Sequence, residues 1–287
     1  MPGPPLLRPS EGSCESPCRQ AKLTDSADLR KARRSMGSSW LRRLSAAAPE
    51  NGSHTLICFP HAGGSVLSFG PLARRVGAEY DVLAVQYPGR QDRRHEPLVG
   101  SIPDLVDGLL PAMVEALAGV ENFSLFGHSM GSVVAFEVAR RLEQESGVAP
   151  SVLFASGRRA PSAPQTGRVH LLNDRDLCEQ LVRFGGTPTA LLEDPEFRAM
   201  ILSVVRNDYR AIETYECTPG AMVECPIVAL TGDRDPDASL ADIEAWRAHT
   251  SGSFFATSFP GGHFFIDANC GPIAQLIREH SSQAVSS

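Results

Sequence analysis

From residue 54 onward short apolar runs alternate with stretches of helical spacing, and this rhythm constrains the fold more than any other feature. HTLICFP (54–60), DVLAVQYP (81–88), NFSLFG (122–127), SVLFASG (151–157), PIVALTG (226–232) and FFATSFPG (254–261) read as strands bounded by turn residues. Between them, SIPDLVDGLLPAMVEALAG (101–119), MGSVVAFEVARRLEQE (130–145), SLADIEAWRAHT (239–250) and CGPIAQLIREH (270–280) read as helices. Pro111 lies inside the first of these and predicts a kink or a split. Strands alternating with helices predict an α/β fold, a mostly parallel sheet with helices on both faces.

One interval breaks the alternation. Between Arg158 and about Glu224 no strand pattern occurs. The stretch reads as helices over 172–184, stopped by Gly185-Gly186, over 187–192, and over 194–215, where Asp194-Pro195 forms a start signal. A helical insertion over about 159–222 is expected to form a lid over an active site; the plain alternative is a helical elaboration of the surface. Residues 1–35 are rich in Pro, Ser and charge and poor in aromatic and β-branched residues, so disorder is expected there. Met36 offers a second start, and residues 36–287 form the expected folded domain.

Composition excludes several functions. A net charge of −6 argues against a nucleic-acid surface. No run approaches the roughly 18 apolar residues of a membrane span, and the N-terminus lacks a basic start with an apolar core behind it. The seven cysteines follow no framework spacing, which suits reduced thiols and a cytoplasmic location. No cluster has zinc-ligand spacing, so neither metal nor cofactor is expected.

Chemistry concentrates at Gly127-His128-Ser129-Met130-Gly131, a G-x-S-x-G with a strand before it and a helix after it. In that setting the pattern marks a nucleophilic serine on a sharp turn. Ser129 then needs a base and an orienting acid, in the chain order Ser, acid, His. His170, His249, His263 and His280 follow it; only His263 sits in a Gly-rich loop straight after the last strand. Asp233, Asp235 and Asp237 follow the preceding strand. G-x-x-D spacing from Gly232 selects Asp235, with Asp233 as runner-up. The oxyanion hole calls for two backbone N–H groups. Met130 supplies one, and CFPHAGGS (58–65) supplies the other, assigned to Ala62; His61 is expected to shape that loop.

CFPHAGGS, VQYPGRQDR (85–93), LFGHSMGS (125–132), FEVARRLE (136–143), SGRRAPS (156–162), RFGGTP (183–188), RNDYRAIETY (206–215), GDRDPD (232–237) and PGGHFF (260–265) occur in this order over about residues 38–280. Together they resemble the type II thioesterases of polyketide and nonribosomal peptide synthesis. The resemblance implies an α/β-hydrolase fold. It implies Ser129 as nucleophile, Asp235 as acid, His263 as base, and the Ala62 and Met130 amides as oxyanion donors. It also implies an acyl thioester substrate, carried on the phosphopantetheine arm of an acyl- or peptidyl-carrier protein, and an editing role. A small-molecule esterase or lipase with the same triad is the alternative; a non-catalytic binding module is a third reading. Two features depart from the pattern: residues 1–35, and Asn207 where Ala is expected. Since carrier proteins of this kind are acidic, docking calls for local basic residues, and Arg90, Arg93, Arg94, Arg158 and Arg159 are the candidates.

Overall fold

Alternate side chains of each strand point to opposite faces, and here both faces are apolar. Ile57, Phe59, Val85, Leu125, Leu153 and Ile227 join one buried cluster. Their neighbours Leu56, Cys58, Val82, Phe126, Phe154 and Val228 join another. A sheet of this kind must be covered twice. The computed structural model describes residues 40–45, 54–165, 167–185 and 189–285. The tail over 1–35, the second start at Met36 and the residues 186–188 of the expected insertion lie outside the described residues.

The strands are β1 (Leu41–Arg43), β2 (His54–Phe59), β3 (Tyr80–Val85), β4 (Phe123–His128), β5 (Val152–Ser156), β6 (Ile227–Gly232) and β7 (Phe254–Phe259). They form one sheet in the order β1-β3-β2-β4-β5-β6-β7. Only β1 runs antiparallel, pairing Leu41 with Val85. The helices are α1 (Gly70–Val76), α2 (Ile102–Leu117), α3 (Met130–Ser146), α4 (Asp174–Phe184), α5 (Thr189–Glu193), α6 (Pro195–Glu213), α7 (Leu240–Glu244), α8 (Phe265–Ala268) and α9 (Cys270–Val285). α2 and α3 cover one face of the sheet, through residues such as Leu109, Met113, Val134 and Phe136. α1 and α9 cover the other, through Leu72, Val76, Ile273 and Ile277. Among the described residues no helix is long and apolar enough to cross a membrane.

Several elements differ from the sequence reading. Helix α2 runs unbroken through Pro111, so the expected split is absent. Pro111 and Asp107, whose carbonyl the ring deprives of its donor, both lie on the exposed face, where water can serve that carbonyl. The single helix expected over 239–250 divides into α7 and a 3₁₀ turn over Ala245–His249. Trp246 and His249 are both buried and both bonded: Trp246 Nε1 donates to the Arg158 carbonyl at 2.8 Å, and His249 Nδ1 lies 2.9 Å from the Ala221 carbonyl. Residues three apart align on one side of a 3₁₀ turn, and that alignment lets both anchors reach inward. Strand β1 and helices α1 and α8 are additional to the reading. The interval expected to be helical contains α4, α5 and α6, placed between β5 and β6.

Candidate active site

Ser129 joins β4 directly to α3 with φ 55° and ψ −120°, one of two non-glycine residues with positive φ among those described. The turn is tight enough to exclude side chains on both sides. A Cβ on Gly131 would stand 2.0 Å from the Phe59 carbonyl oxygen, and one on Gly127 2.3 Å from that of Gly131. The two glycines of the motif therefore mark a backbone crossing that no larger residue fits. The Ser129 N–H donates to the Ser156 carbonyl at 2.7 Å, tying the turn to β5.

His263 follows β7 in the loop after Gly262, and Asp235 follows β6. The structure brings them together: His263 Nδ1 lies 2.9 Å from Asp235 Oδ2. The Asp235 side chain is fully buried, and its Oδ1 accepts the Asp237 N–H at 2.9 Å. Asp233 takes a different place. It is exposed, and its Oδ1 accepts the Gly261 N–H at 2.8 Å, bracing the loop that carries His263. Aromatic rings flank the imidazole, Phe264 edgewise with its centroid at 5.3 Å and Phe184 tilted at 5.6 Å. Among the described residues Ser129 Oγ and His263 share no hydrogen bond, although both line one cavity. Bonds of this kind commonly tighten only around bound substrate.

The loop after β2 approaches Ser129 from the other side. Gly64 N–H closes a turn on the His61 carbonyl at 2.9 Å, and Gly63 N–H donates to Asp208 Oδ2 at 2.8 Å. Two of the loop amides are thus committed, while Ala62 lines the same cavity as Ser129. The Met130 amide lies in the first turn of α3, where helical N–H groups lack intrahelical partners.

That cavity has a volume of about 660 Å³. Its floor holds Ser129, His263 and Ala62, and its roof consists of side chains from α4 to α6, among them Phe184, Phe197, Met200, Ile201 and Val205. Gln91, Asp92 and Arg94 line it as well. The size and the apolar roof suit a ligand with a hydrocarbon tail. Sequence reasoning did not name Phe184, Phe264 or Asp208, because their proximity to the site comes from long-range packing.

The arginine candidates separate sharply. Arg90 and Arg93 are buried, Arg90 against Asp208 and Arg93 against Glu96, so neither offers a free charge to a partner. Burial, reinforced by the adjacent Arg159, pulls the Arg158 guanidinium down to about 10, and its Nη2 donates to Gln165. Arg159 is half-buried on the Asp237 carbonyl at 3.1 Å. Arg94 alone of the five is exposed, at the cavity. Asn207, the departure in the lid motif, ties α6 to the Val99 carbonyl at 2.7 Å.

Three further imidazoles are held neutral. Burial lowers His54 to about 4, and burial, with the nearby Arg90 guanidinium, lowers His61 to about 3. His128 is also pushed well below its usual range, chiefly by burial. An unfolded histidine takes up its proton near pH 6.5. The stability these groups contribute is therefore complete above about pH 6.5 and is lost as pH falls toward the folded values. The urea midpoint should be lower at pH 5.0 than at pH 7.0. His54→Gln, which keeps a partner for Ser124 Oγ, should show a smaller drop; an unchanged drop would clear His54 as a source.

Residues 54–280 match the family described as "Thioesterase domain". The chain is 42% identical over 241 residues to "Thioesterase PikA5" of Streptomyces venezuelae, covering 84% of this chain and 85% of that protein. It is 44% identical over 246 residues to the "Probable cadicidin biosynthesis thioesterase" of Streptomyces griseus, covering 83% of this chain and 66% of that one. Among solved structures, the type II thioesterase BorB from the borrelidin biosynthetic cluster superposes with a TM-score of 0.78 at 42% identity, over 86% of this chain and 99% of that chain. YbtT, a type II thioesterase from the yersiniabactin pathway, superposes with a TM-score of 0.77 at 30% identity, over 86% of this chain and 99% of that chain.

Proposed function

The chain belongs to the thioesterase family, and on that footing we propose that it hydrolyses acyl thioesters carried on the phosphopantetheine arm of acyl- or peptidyl-carrier proteins, clearing stalled groups from a polyketide or nonribosomal peptide synthase. The observation that carries this reading is the buried Asp235–His263 pair, 2.9 Å apart, whose imidazole lines one apolar-roofed cavity with Ser129.

In this reading the hydrocarbon part of the acyl group lies under α4 to α6, with its carbonyl above Ser129. His263 takes the proton of Ser129 as Oγ attacks the carbonyl carbon. Asp235 holds the imidazole in the tautomer with Nδ1 protonated and stabilises the imidazolium that forms. The Ala62 and Met130 amides receive the oxyanion. The pantetheine thiolate leaves with the proton from His263, giving an acyl-serine. A water molecule, deprotonated by His263, then releases the free acid. Arg94 is the candidate for guiding an acidic carrier to the cavity.

A single acyl group offered both as carrier-protein thioester and as simple oxygen ester tests this reading. The carrier thioester should be turned over with at least tenfold higher kcat/KM, and Arg94→Glu should lower that value while sparing the simple ester. Equal or better turnover of the oxygen ester would make the chain an esterase.

A further inference from the structure

The segment Gln86–Arg90 takes no part in the chemistry above, yet its polar groups are bonded to the oxyanion loop. Tyr87 Oη donates to the Pro60 carbonyl at 3.4 Å. Gln86 Oε1 accepts the Val66 N–H at 3.3 Å, and its Nε2 donates to the Arg90 carbonyl at 3.3 Å. Arg90 Nη1 donates to the Gly64 carbonyl at 3.2 Å and to Asp208 Oδ2 at 2.6 Å, while Nη2 donates to Asp208 Oδ1 at 2.9 Å. Asp208 Oδ2 also accepts the Gly63 N–H at 2.8 Å. Arg90 is 7% exposed and Asp208 1%.

A buried ion pair is poor value as a stabiliser, since desolvation offsets its attraction and apolar residues of equal volume commonly do as well. Apolar residues could not orient peptide groups. Here the bonds fall on Pro60, Gly63 and Gly64 and so bracket Ala62. Asp208 belongs to α6, the helix whose Val205 side chain also roofs the cavity. Val205 Cγ2 would lie only 2.6 Å from a Cβ on Gly63, so helix and loop touch at two successive positions of one helix face.

We propose that Arg90 and Asp208 are positioning residues for the oxyanion hole. The pair locks the Ala62 peptide in place and fastens the loop to α6, so that the roof over the acyl chain and the anion-binding amide hold one common geometry. This rests on Ala62 serving as an oxyanion donor in a serine hydrolase; it does not depend on the carrier protein.

The test uses the full chain and p-nitrophenyl hexanoate, an ester that needs no carrier. Arg90→Lys keeps a buried positive charge but cannot span both carboxylate oxygens and the Gly64 carbonyl. Its kcat should fall about 10- to 100-fold with KM within about twofold, the scale of a misplaced oxyanion donor. A hexyl trifluoromethyl ketone, whose Ser129 adduct bears a negative oxygen, should lose affinity by a similar factor, while inhibition by hexanoate stays unchanged. Asp208→Asn, which keeps an acceptor for Gly63, carries the same expectation should Arg90→Lys not fold. The double variant Arg90→Met/Asp208→Leu should recover much of the melting temperature but not kcat. Wild-type kcat in Arg90→Lys, recovery of kcat with melting temperature in the double variant, or a change confined to KM would each overturn the proposal. A wild-type chain that cleaves this ester but no carrier thioester would instead sink the thioesterase reading and leave this test intact.

Discussion

Ser129→Ala should abolish turnover, by about 10⁶-fold if the triad acts as a unit, and leave the melting temperature nearly unchanged. Ser129 is half-exposed and makes no side-chain capping bond to α3, so removing its hydroxyl deprives the fold of little. Single-turnover assays with a carrier thioester, beside thermal melts, give both readouts. His263→Ala should cost nearly as much activity, but with some loss of stability. It empties space against Phe184 and Phe264 and leaves the Asp235 carboxylate buried without its partner. Turnover surviving in Ser129→Ala at more than a thousandth of the original rate would mean that another group delivers the nucleophile.

The acid is the second decisive case. Asp235→Asn should lower kcat by about 10⁴-fold, because an amide in that place favours the wrong imidazole tautomer. Asp233→Asn should cost less than tenfold. The contrast follows from where the two carboxylates lie: Asp235 Oδ2 is 2.9 Å from His263 Nδ1 inside the protein, whereas Asp233 is exposed and accepts the Gly261 N–H at 2.8 Å. An asparagine at 233 can still accept that bond. The assignment of the acid fails if the 233 substitution proves the crippling one.

The strands of the parallel sheet could be read from the chain because each is a short apolar run between turn signals, and β2 to β6 are buried on both faces. Strand β1 could not: Leu41–Arg43 is three residues long, too short to show any period. Helix α1 opens on Gly70-Pro71, which reads as a turn until Leu72 and Val76 are seen packing on the sheet. The places of Ser129, His263 and Asp235 at strand ends were legible because the order of elements assigns each of them one. The arginines were not. Arg90 and Arg94 look alike in the sequence, yet one is paired with Asp208, 118 positions away, and the other faces solvent. A charge 118 residues distant leaves no local pattern, and only packing reveals whether an arginine is a surface or an internal strut.

The backbone at position 129 has a bearing on how such a protein could be engineered. A φ of 55° with ψ −120° suits glycine far better than serine, and holding an L-residue there costs on the order of 1–3 kcal/mol. Glycine at 129 would release that cost and remove the hydroxyl together. A laboratory search that rewards heat resistance alone would therefore find this position early, and its improved proteins would be inert. Thermostable descendants that still work must draw their gains from elsewhere, while every screening round keeps asking for product.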